Sequence, residues 1–389
     1  MSQRGGQASL VDATPGPSPA IHLREIDLNI TNRCNLECIY CSFSSTPSRA
    51  EPEIPPREVH TLLDRAAAMG VRVIHFSGGE PIIRADMPEF IAHATDLGFK
   101  MRMHSNGSLF TETRLRKVWD AGLRQVLISL DGFAANHDFH RAKPGLYAKT
   151  LQGISNAVAM GFSVRVNAVA TTLNVDEIPA LLPMLAGMGV NTFTVFYQIA
   201  VGRGRQQRAL MVPPLRWRQF VHDMRRMAAA HKPDHMEVTV EKVFLWEEEW
   251  EQQLHATGRG GTCLGFLKEC DYVNILADGR VYPCVCLVDE APPIGNIFER
   301  PLHEMLEDPA GWTFYGGLAS GLNSVCRSCE LLDACRGGCR SFSRAGANDW
   351  FAMDPRCSGA PRVQGFMPVC FMLRENVDTG TRSGFQEHL

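Results

Sequence analysis

Residues 25–41 of the chain are EIDLNITNRCNLECIYC. The apolar run from Glu25 to Ile30 predicts a buried strand, and the loop after it places Cys34, Cys38 and Cys41 in a CxxxCxxC spacing. Three close thiolates are one fewer than a tetrahedral structural zinc site uses. They suit a four-iron four-sulfur (4Fe-4S) cluster in which cysteines hold three irons and the fourth iron stays open to another ligand. The alternative is that the three cysteines are buried or incidental.

The composition around this stretch is that of a folded protein. The chain has 389 residues, of which 45% are hydrophobic and 21% are charged, and this excludes a disordered or fibrous protein. A net charge of -3 gives no reason to expect binding to nucleic acid or to an anionic membrane. Because no long apolar run and no secretory signal is found, we expect a cytoplasmic protein. In that reducing compartment its 13 cysteines are expected to be metal ligands or nucleophiles.

Strand and helix patterns alternate after the first strand. The predicted strands are Glu25 to Ile30, Val71 to Phe76, Lys100 to His104, Gln125 to Leu130, Ser163 to Val169 and Thr192 to Tyr197. The predicted helices are Arg57 to Met69, Met87 to Leu97, Thr111 to Ala121, Tyr147 to Met160 and Asp176 to Met188. Alternation of this kind, with near-continuous apolar strands, predicts an α/β fold with a parallel sheet and helices on its outer face. A barrel, open or closed, is the natural form.

Composition also divides the chain into segments. Residues 1–20, rich in Gly, Pro, Ser and Gln, are expected to form a disordered tail. Residues 21–200 form the predicted barrel, and residues 201–262 form a connector that includes a helical segment, Leu215 to His231. Residues 263–375 form a small cysteine-rich domain with an Asp278-Gly279 hairpin, and residues 376–389 form a C-terminal tail.

Polar loops follow the predicted strands at their carboxyl ends, which is where the active sites of barrel enzymes lie. Ser77-Gly78-Gly79-Glu80-Pro81 follows the second strand, and its paired glycines let a ligand approach the backbone while Glu80 offers a carboxylate to an ammonium group. Ser105-Asn106-Gly107 follows the third strand, and Ser129-Leu130-Asp131-Gly132 follows the fourth, with Arg141 in the next loop. Each of these loops could also be a simple turn.

The C-terminal cysteines form a second pattern. Ten of the 13 cysteines lie between Cys263 and Cys370. Eight of them have ligand-like spacing: Cys263, Cys270, Cys284, Cys326, Cys329, Cys335, Cys339 and Cys357. Eight thiolates suffice for two fully ligated iron-sulfur clusters, and the alternative is two structural zinc sites that are each held by four cysteine thiolates.

From Ile21 to Cys370 the chain resembles the radical S-adenosylmethionine (SAM) enzymes. The resemblance implies a partial (β/α)6 barrel in which Cys34, Cys38 and Cys41 hold the cluster and its open iron is chelated by the methionine part of SAM. Reductive cleavage of SAM then gives a 5'-deoxyadenosyl radical that removes a hydrogen atom from the substrate. Gly78, Gly79 and Glu80 match the Gly-Gly-Glu element at the methionine ammonium group. Ser129 and Arg141 occupy the positions that contact ribose and carboxylate in similar enzymes, and Asn106 is a further candidate.

The C-terminal spacing resembles the SPASM domain found behind the barrels of anaerobic sulfatase-maturing and peptide-modifying enzymes. The resemblance implies one auxiliary cluster held by Cys263, Cys270, Cys284 and Cys339, and another held by Cys326, Cys329, Cys335 and Cys357. The chain would then carry three 4Fe-4S clusters and take electrons from flavodoxin or ferredoxin. One departure is Val285, because sulfatase-maturing enzymes have an Asp after the matching cysteine. Formylglycine formation is therefore disfavoured.

The leading functional hypothesis is oxidative modification, by dehydrogenation or crosslinking, of a peptide substrate in natural-product or cofactor biosynthesis. The alternatives are a dehydrogenase or epimerase of a small molecule such as an aminocyclitol or sugar, and a non-catalytic electron carrier. A carrier would have no use for Gly78, Gly79 and Glu80. Cys286 and Cys370 are left over from the ligand count, and Cys370 is the candidate for a catalytic thiol near the active site. Both could instead be incidental buried thiols.

Overall fold

The computed structural model describes residues 23–48, 53–240, 244–245, 271–321, 323–329, 337–354 and 367–368. The strands are β1 Glu25–Thr31, β2 Val73–Gly78, β3 Lys100–Ser105, β4 Gln125–Ser129, β5 Ser163–Ala170, β6 Thr192–Tyr197, β7 Glu237–Val240, β8 Phe244–Leu245, β9 Tyr272–Ile275, β10 Arg280–Tyr282, β11 Gly295–Asn296 and β12 Met367–Pro368. The α-helices are α1 Pro56–Ala68, α2 Met87–Asp96, α3 Glu112–Asp120, α4 Ala134–His140, α5 Leu146–Met160, α6 Ile178–Gly187, α7 Pro214–His231, α8 Leu302–Glu307, α9 Pro309–Ser320, α10 Ser324–Arg327 and α11 Arg340–Ala347. Three 3-10 helices cover Pro81–Ile83, Gly202–Leu210 and Val285–Leu287.

Ten of these strands form one sheet in the order β11-β10-β9-β1-β2-β3-β4-β5-β6-β7. Strands β1 to β7 pair in parallel with their neighbours, as the alternation of strand and helix predicts. The α/β class and the mostly parallel sheet are therefore confirmed. All six predicted strands are present, and β7 adds a seventh parallel strand that the sequence did not indicate.

The hairpin predicted around Asp278-Gly279 is also present, as β9 and β10. Strand β9 pairs in parallel with β1, so this hairpin extends the sheet. From the sequence, this hairpin is expected in the separate cysteine-rich domain, because hairpin patterns carry no information about which edge of a sheet they join. A strand from the cysteine-rich part of the chain thus lies directly beside the strand that leads into the first cysteine loop.

One face of the sheet forms the apolar core. Ile26, Leu28 and Ile30 of β1 are fully buried and share a core with Val59 and Leu63 of α1. Burying each such side chain contributes about 1.5–3 kcal/mol. The five predicted helices all lie within two residues of the observed bounds, whereas α4 was missed because it has only seven residues. None of the helices in the described part of the chain has both the length and the apolar composition needed to cross a membrane.

The other face of the sheet is polar, contrary to the expectation of near-continuous apolar strands. Asp27, His75, Arg102 and Gln125 lie at matching register positions on four adjacent strands. Arg102 Nε donates to Gln125 Oε1 over 2.7 Å, and His75 Nε2 lies 3.1 Å from an oxygen of Glu25. These polar groups bond to one another along the face, which is how a buried polar layer stays satisfied.

We expect Leu181→Ala in α6 to lower the free energy of unfolding by about 2–5 kcal/mol, because the side chain is fully buried and its removal leaves a cavity. Urea unfolding followed by circular dichroism measures the change. The matched control is Leu215→Ala in α7, whose side chain is 66% exposed and which should change stability by no more than about 0.5 kcal/mol. Equal effects in the two variants would contradict this placement of the core.

Candidate active site

The first cysteine loop leaves β1 at Thr31 and is closed by its own backbone hydrogen bonds. Arg33 forms a parallel bridge with Thr46, and the Cys34 amide donates to the Thr46 carbonyl over 3.2 Å. Inside this closed loop the Cys41 amide donates to the carbonyl of Cys38 over 3.3 Å. The three thiols are therefore carried by a backbone with a fixed course.

The thiols lie in a small apolar cluster. Cys34 and Cys38 are buried beside Leu36 and Leu146, and Cys41 is half-buried against them. Burial, together with the charges of Glu80, Cys38 and Cys41, raises the pKa of Cys34 to about 12. Thiols that oppose one another's ionisation in this way become thiolates when a cation neutralises them. The donor set therefore fits an iron cluster.

Single-ion binding is a different case. Within the described residues, no three His, Cys, Asp or Glu side chains converge tightly enough to hold one metal ion. Thiolates on separate irons of a polynuclear cluster stand farther apart than the ligands of one ion. A three-cysteine cluster site therefore does not require the three thiols to meet at a single ion.

Gly78 and Gly79 press against the backbone of the cysteine loop. The Gly79 amide donates to the Thr31 carbonyl over 2.6 Å, and the Glu80 amide donates to the Arg33 carbonyl over 2.9 Å. A side chain at Gly79 would collide with the Arg33 carbonyl, and one at Gly78, where φ is +123°, would collide with the Thr31 carbonyl. The two glycines are therefore required by the close approach of two backbones.

Glu80 is fully buried at the carboxyl end of β2. One carboxylate oxygen accepts from Ser105 Oγ over 2.8 Å, and the other accepts from the Asn106 amide over 2.8 Å. Burial raises the pKa of Glu80 to about 7, although the bonds from Asn106 and Ser105 partly offset it. A cationic group bound at this carboxylate would favour its charged form.

Asn106 connects the loop after β3 to the cysteine loop. Its Nδ2 donates to Asn35 Oδ1 over 2.9 Å, and its Oδ1 accepts from the Ser108 amide over 3.0 Å. Asn35 in turn donates to Ser108 Oγ over 3.0 Å. Asn106 thus acts as a turn residue and as a contact of the cysteine loop.

Asp131, in the loop after β4 and without a role predicted from the sequence, is the centre of a buried ionic network. Its Oδ2 accepts from Tyr40 Oη and from Arg141 Nε, both over 2.5 Å. Burial by itself would raise the pKa of Asp131, but the Arg141 guanidinium outweighs it and holds the value at about 2. Arg141 Nη1 also lies 3.8 Å from Cys38 Sγ. The network therefore joins the loop after β4 to the cysteine loop.

Ser129 is the last residue of β4, paired in register with Asn167 of β5, and it is half-buried. The structure thus brings Ser129 and the predicted site residues Cys34, Cys38, Cys41, Glu80 and Arg141 to the carboxyl edge of one sheet.

Arg203 lies in the 3-10 helix Gly202–Leu210, which follows β6. Its Nε donates to the Cys38 carbonyl over 2.9 Å, and its Nη2 donates to the Ser45 carbonyl over 2.7 Å. Its neighbour Gly202, at φ +54°, has no room for a side chain beside the Cys41 carbonyl. Arg203 therefore clamps the cysteine loop. The sequence pattern that could have indicated this role is Gly202-Arg203-Gly204.

The second group of cysteines is described only in part. Cys284, Cys286 and Cys339 are buried, whereas Cys326 and Cys329 are half-buried. The Cys286 amide donates to Cys284 Sγ over 3.4 Å, and the Cys339 amide donates to the buried carboxylate of Asp354 over 2.9 Å. The other predicted ligands, Cys263, Cys270, Cys335 and Cys357, lie outside the described residues, as does Cys370. The predicted pairing into two ligand sets stays a prediction.

Two family models match the chain. The radical SAM superfamily model matches residues 28–185, and the iron-sulfur cluster-binding (SPASM) domain model matches residues 263–330. The first match runs from within β1 through β5 and includes the cysteine loop, and the second begins at the predicted ligand Cys263. Both resemblances found in the sequence are therefore confirmed.

Characterised relatives include an AdoMet-dependent heme synthase of Methanosarcina barkeri, which is 27% identical over 87% of this chain and 97% of that protein. A PqqA peptide cyclase of Xanthomonas campestris is 27% identical over 87% of each.

Solved structures with a similar fold include Streptococcus suis SuiB bound to its precursor peptide SuiA, with a TM-score of 0.67 at 17% identity over 87% of this chain and 75% of that one. Another is anSMEcpe with bound AdoMet and the Cp18Cys peptide, with a TM-score of 0.67 at 16% identity over 87% and 94%. With a parallel sheet, a three-cysteine loop and two matching family models, the chain contains a radical SAM domain at residues 28–185 and a SPASM iron-sulfur cluster-binding domain at residues 263–330.

Proposed function

We propose that Cys34, Cys38 and Cys41 hold a 4Fe-4S cluster and that SAM binds beside it along the carboxyl edge of the sheet. The observation that carries this proposal is that three thiols packed in one cluster, a buried carboxylate and a buried guanidinium lie at that edge. When bound, the reduced cluster and SAM supply a 5'-deoxyadenosyl radical that removes a hydrogen atom from the substrate.

The residues of the chain bind and orient SAM. Glu80 accepts a hydrogen bond from the methionine amino group, and its bonds from Ser105 and Asn106 hold the carboxylate in place. Arg141 binds the methionine carboxylate, and Ser129 contacts the ribose. A charge-assisted hydrogen bond in such a buried site is stronger than a neutral one, which favours Glu80 as the main anchor.

Two auxiliary 4Fe-4S clusters are proposed in the SPASM domain, with Cys263, Cys270, Cys284 and Cys339 as one ligand set and Cys326, Cys329, Cys335 and Cys357 as the other. The burial of Cys284 and Cys339 supports ligation away from water. Flavodoxin or ferredoxin is the proposed reductant. Cys370 is kept as a candidate thiol donor near the active site.

The proposed substrate is a peptide, and the proposed reaction is its oxidative modification in natural-product or cofactor biosynthesis. The PqqA peptide cyclases among the relatives support this choice, as does the shared fold with SuiB and anSMEcpe, both solved with peptides. Val285, after Cys284, disfavours formylglycine formation.

A tetrapyrrole is the second candidate substrate, because the relatives also include AdoMet-dependent heme synthases and an Fe-coproporphyrin III synthase. Oxidation of an aminocyclitol or sugar stays a prediction from the sequence.

Replacing Cys34, Cys38 and Cys41 together by Ala should remove about four of about twelve irons per chain and abolish SAM cleavage, since each cluster holds four irons. Iron and sulfide assays of anaerobically reconstituted protein, with chromatography of 5'-deoxyadenosine, measure both effects. The matched control is Cys286→Ala, a buried cysteine outside the proposed ligand sets, which should keep all its iron. Zinc in place of auxiliary iron, or 5'-deoxyadenosine from the triple variant, would contradict the assignment.

Glu80→Gln should weaken SAM binding about 10- to 150-fold while iron content stays unchanged, because it loses a charged hydrogen bond worth about 1.5–3 kcal/mol. Glutamine keeps the volume of the fully buried side chain. Equilibrium dialysis with labelled SAM gives the affinity. Glu25→Gln, at the opposite end of the sheet, is the control and should bind SAM as the wild type does. Unchanged affinity in Glu80→Gln would reduce the Gly-Gly-Glu element to a structural turn.

The two substrate classes can be separated by incubating the reduced enzyme and SAM with either Fe-coproporphyrin III or short peptides encoded beside its gene. We expect 5'-deoxyadenosine above the substrate-free rate with a peptide, and a loss of about 2 Da for each two-electron oxidation in the peptide mass. Mass spectrometry and chromatography of the same sample give both readouts. Turnover with the porphyrin alone would favour the tetrapyrrole and reject the peptide.

A further inference from the structure

Asp131 is a buried ionisable group at the carboxyl edge that SAM binding, as proposed above, does not use. The residue is fully buried in the loop after β4. Its Oδ1 accepts from the Val169 amide over 3.0 Å, while its Oδ2 accepts from Tyr40 and Arg141. A carboxylate with three donors is fixed in one orientation, and so are the groups that donate to it.

Arg141 connects this carboxylate to the cysteine loop. Its Nε points at Asp131, and its Nη1 points at Cys38 Sγ, 3.8 Å away. The guanidinium also lies 5.4 Å from the centre of the Tyr40 ring, so it is held between the tyrosine and the carboxylate. Since the guanidinium is planar and rigid, fixing one nitrogen fixes the direction of the others.

We propose that Asp131 is a positioning residue that holds Arg141 against Cys38 and offsets part of the guanidinium charge, and so sets the reduction potential of the cluster held by Cys34, Cys38 and Cys41. This inference rests on the proposed function, which places the cluster at those cysteines. It assigns Asp131 no contact with SAM or with the substrate.

The physical basis is the charge balance around the Cys38 sulfur. Reduction adds one negative charge to the cluster, and a guanidinium N–H directed at a ligand sulfur favours the reduced form. The Asp131 carboxylate holds this guanidinium in place but also cancels part of its charge. Replacing the carboxylate by a neutral amide of the same shape removes the negative charge and leaves the positive one, so the potential should rise.

The experiment is an anaerobic potentiometric titration with dithionite, followed by electron paramagnetic resonance and without SAM. The signal of this cluster is identified as the one that the Cys34, Cys38 and Cys41 triple alanine variant lacks. Asp131→Asn should raise the midpoint potential by at least about 59 mV. For a one-electron couple this shift is a tenfold change in the ratio of reduced to oxidised cluster at a given potential. Arg141→Met should lower it.

The double variant tests whether Asp131 acts through Arg141. Without its cationic partner the buried carboxylate takes up a proton, so adding Asp131→Asn to Arg141→Met should change the potential little. Such non-additivity is the mark of two coupled residues. Equal shifts in both backgrounds, or no shift in an Asp131→Asn variant with full iron, would overturn the proposal.

Two further comparisons keep the result interpretable. Glu25→Gln removes another carboxylate near an arginine, since Glu25 lies 3.8 Å from Arg102, but at the opposite end of the sheet. Its midpoint potential should equal that of the wild type, and a shift as large as that of Asp131→Asn would overturn the proposal. If Asp131→Asn loses iron, the Arg141→Met variant is measured in its place. An unchanged midpoint potential in Arg141→Met would then overturn the proposal. If the triple alanine variant keeps every signal of the wild type, the assignment of Cys34, Cys38 and Cys41 as cluster ligands is wrong, and the proposed function fails instead of this inference.

Discussion

The site depends on the close approach of two backbones, the cysteine loop after β1 and the Gly78-Gly79 turn after β2. Hydrogen bonds from the Gly79 and Glu80 amides to the Thr31 and Arg33 carbonyls leave no room for a side chain at either glycine. Because these loops follow adjacent parallel strands, the sheet register determines where they meet. The contact sets the position of Glu80 relative to the three thiols, and the remaining parts of the site are arranged around it.

Burial gives the charged groups at this edge their chemical character. Glu80 has hydrogen-bond donors but no salt bridge among the described residues, and its pKa rises to about 7 because burial disfavours its charge. Asp131 is equally buried, yet its pKa falls to about 2 because Arg141 lies against it. One carboxylate is therefore suited to accept an incoming cation, whereas the other is already neutralised by a cation of the chain.

Much of this arrangement could be predicted from the sequence, because it follows from local patterns. Strand periodicity gave six parallel strands, and the loops after them brought Cys34, Glu80 and Arg141 to one edge, since parallel strands end on the same side. Contacts between distant segments could not be predicted. Asp131 stands inside a short Ser-Leu-Asp-Gly stretch typical of a turn, and its bonds to Tyr40 and Arg141 appear only when the chain is folded. The pairing of β9 with β1 was missed for the same reason.

The segment from Gly202 to Arg205 links the two matched domains physically. Arg203 donates to the Cys38 carbonyl, and Arg205, two residues later, pairs with Glu290 over 2.6 Å in the part of the chain matched by the SPASM model. Glu290 also lies 3.5 Å from Arg344 in α11, the helix that follows Cys339. The cysteine loop is thus bonded to a segment that pairs with the second domain, and β1, the strand that leads into the loop, pairs with β9. Radical chemistry requires reacting groups at fixed separations, and a loop with such supports keeps those separations better than a loop anchored only by its own strand.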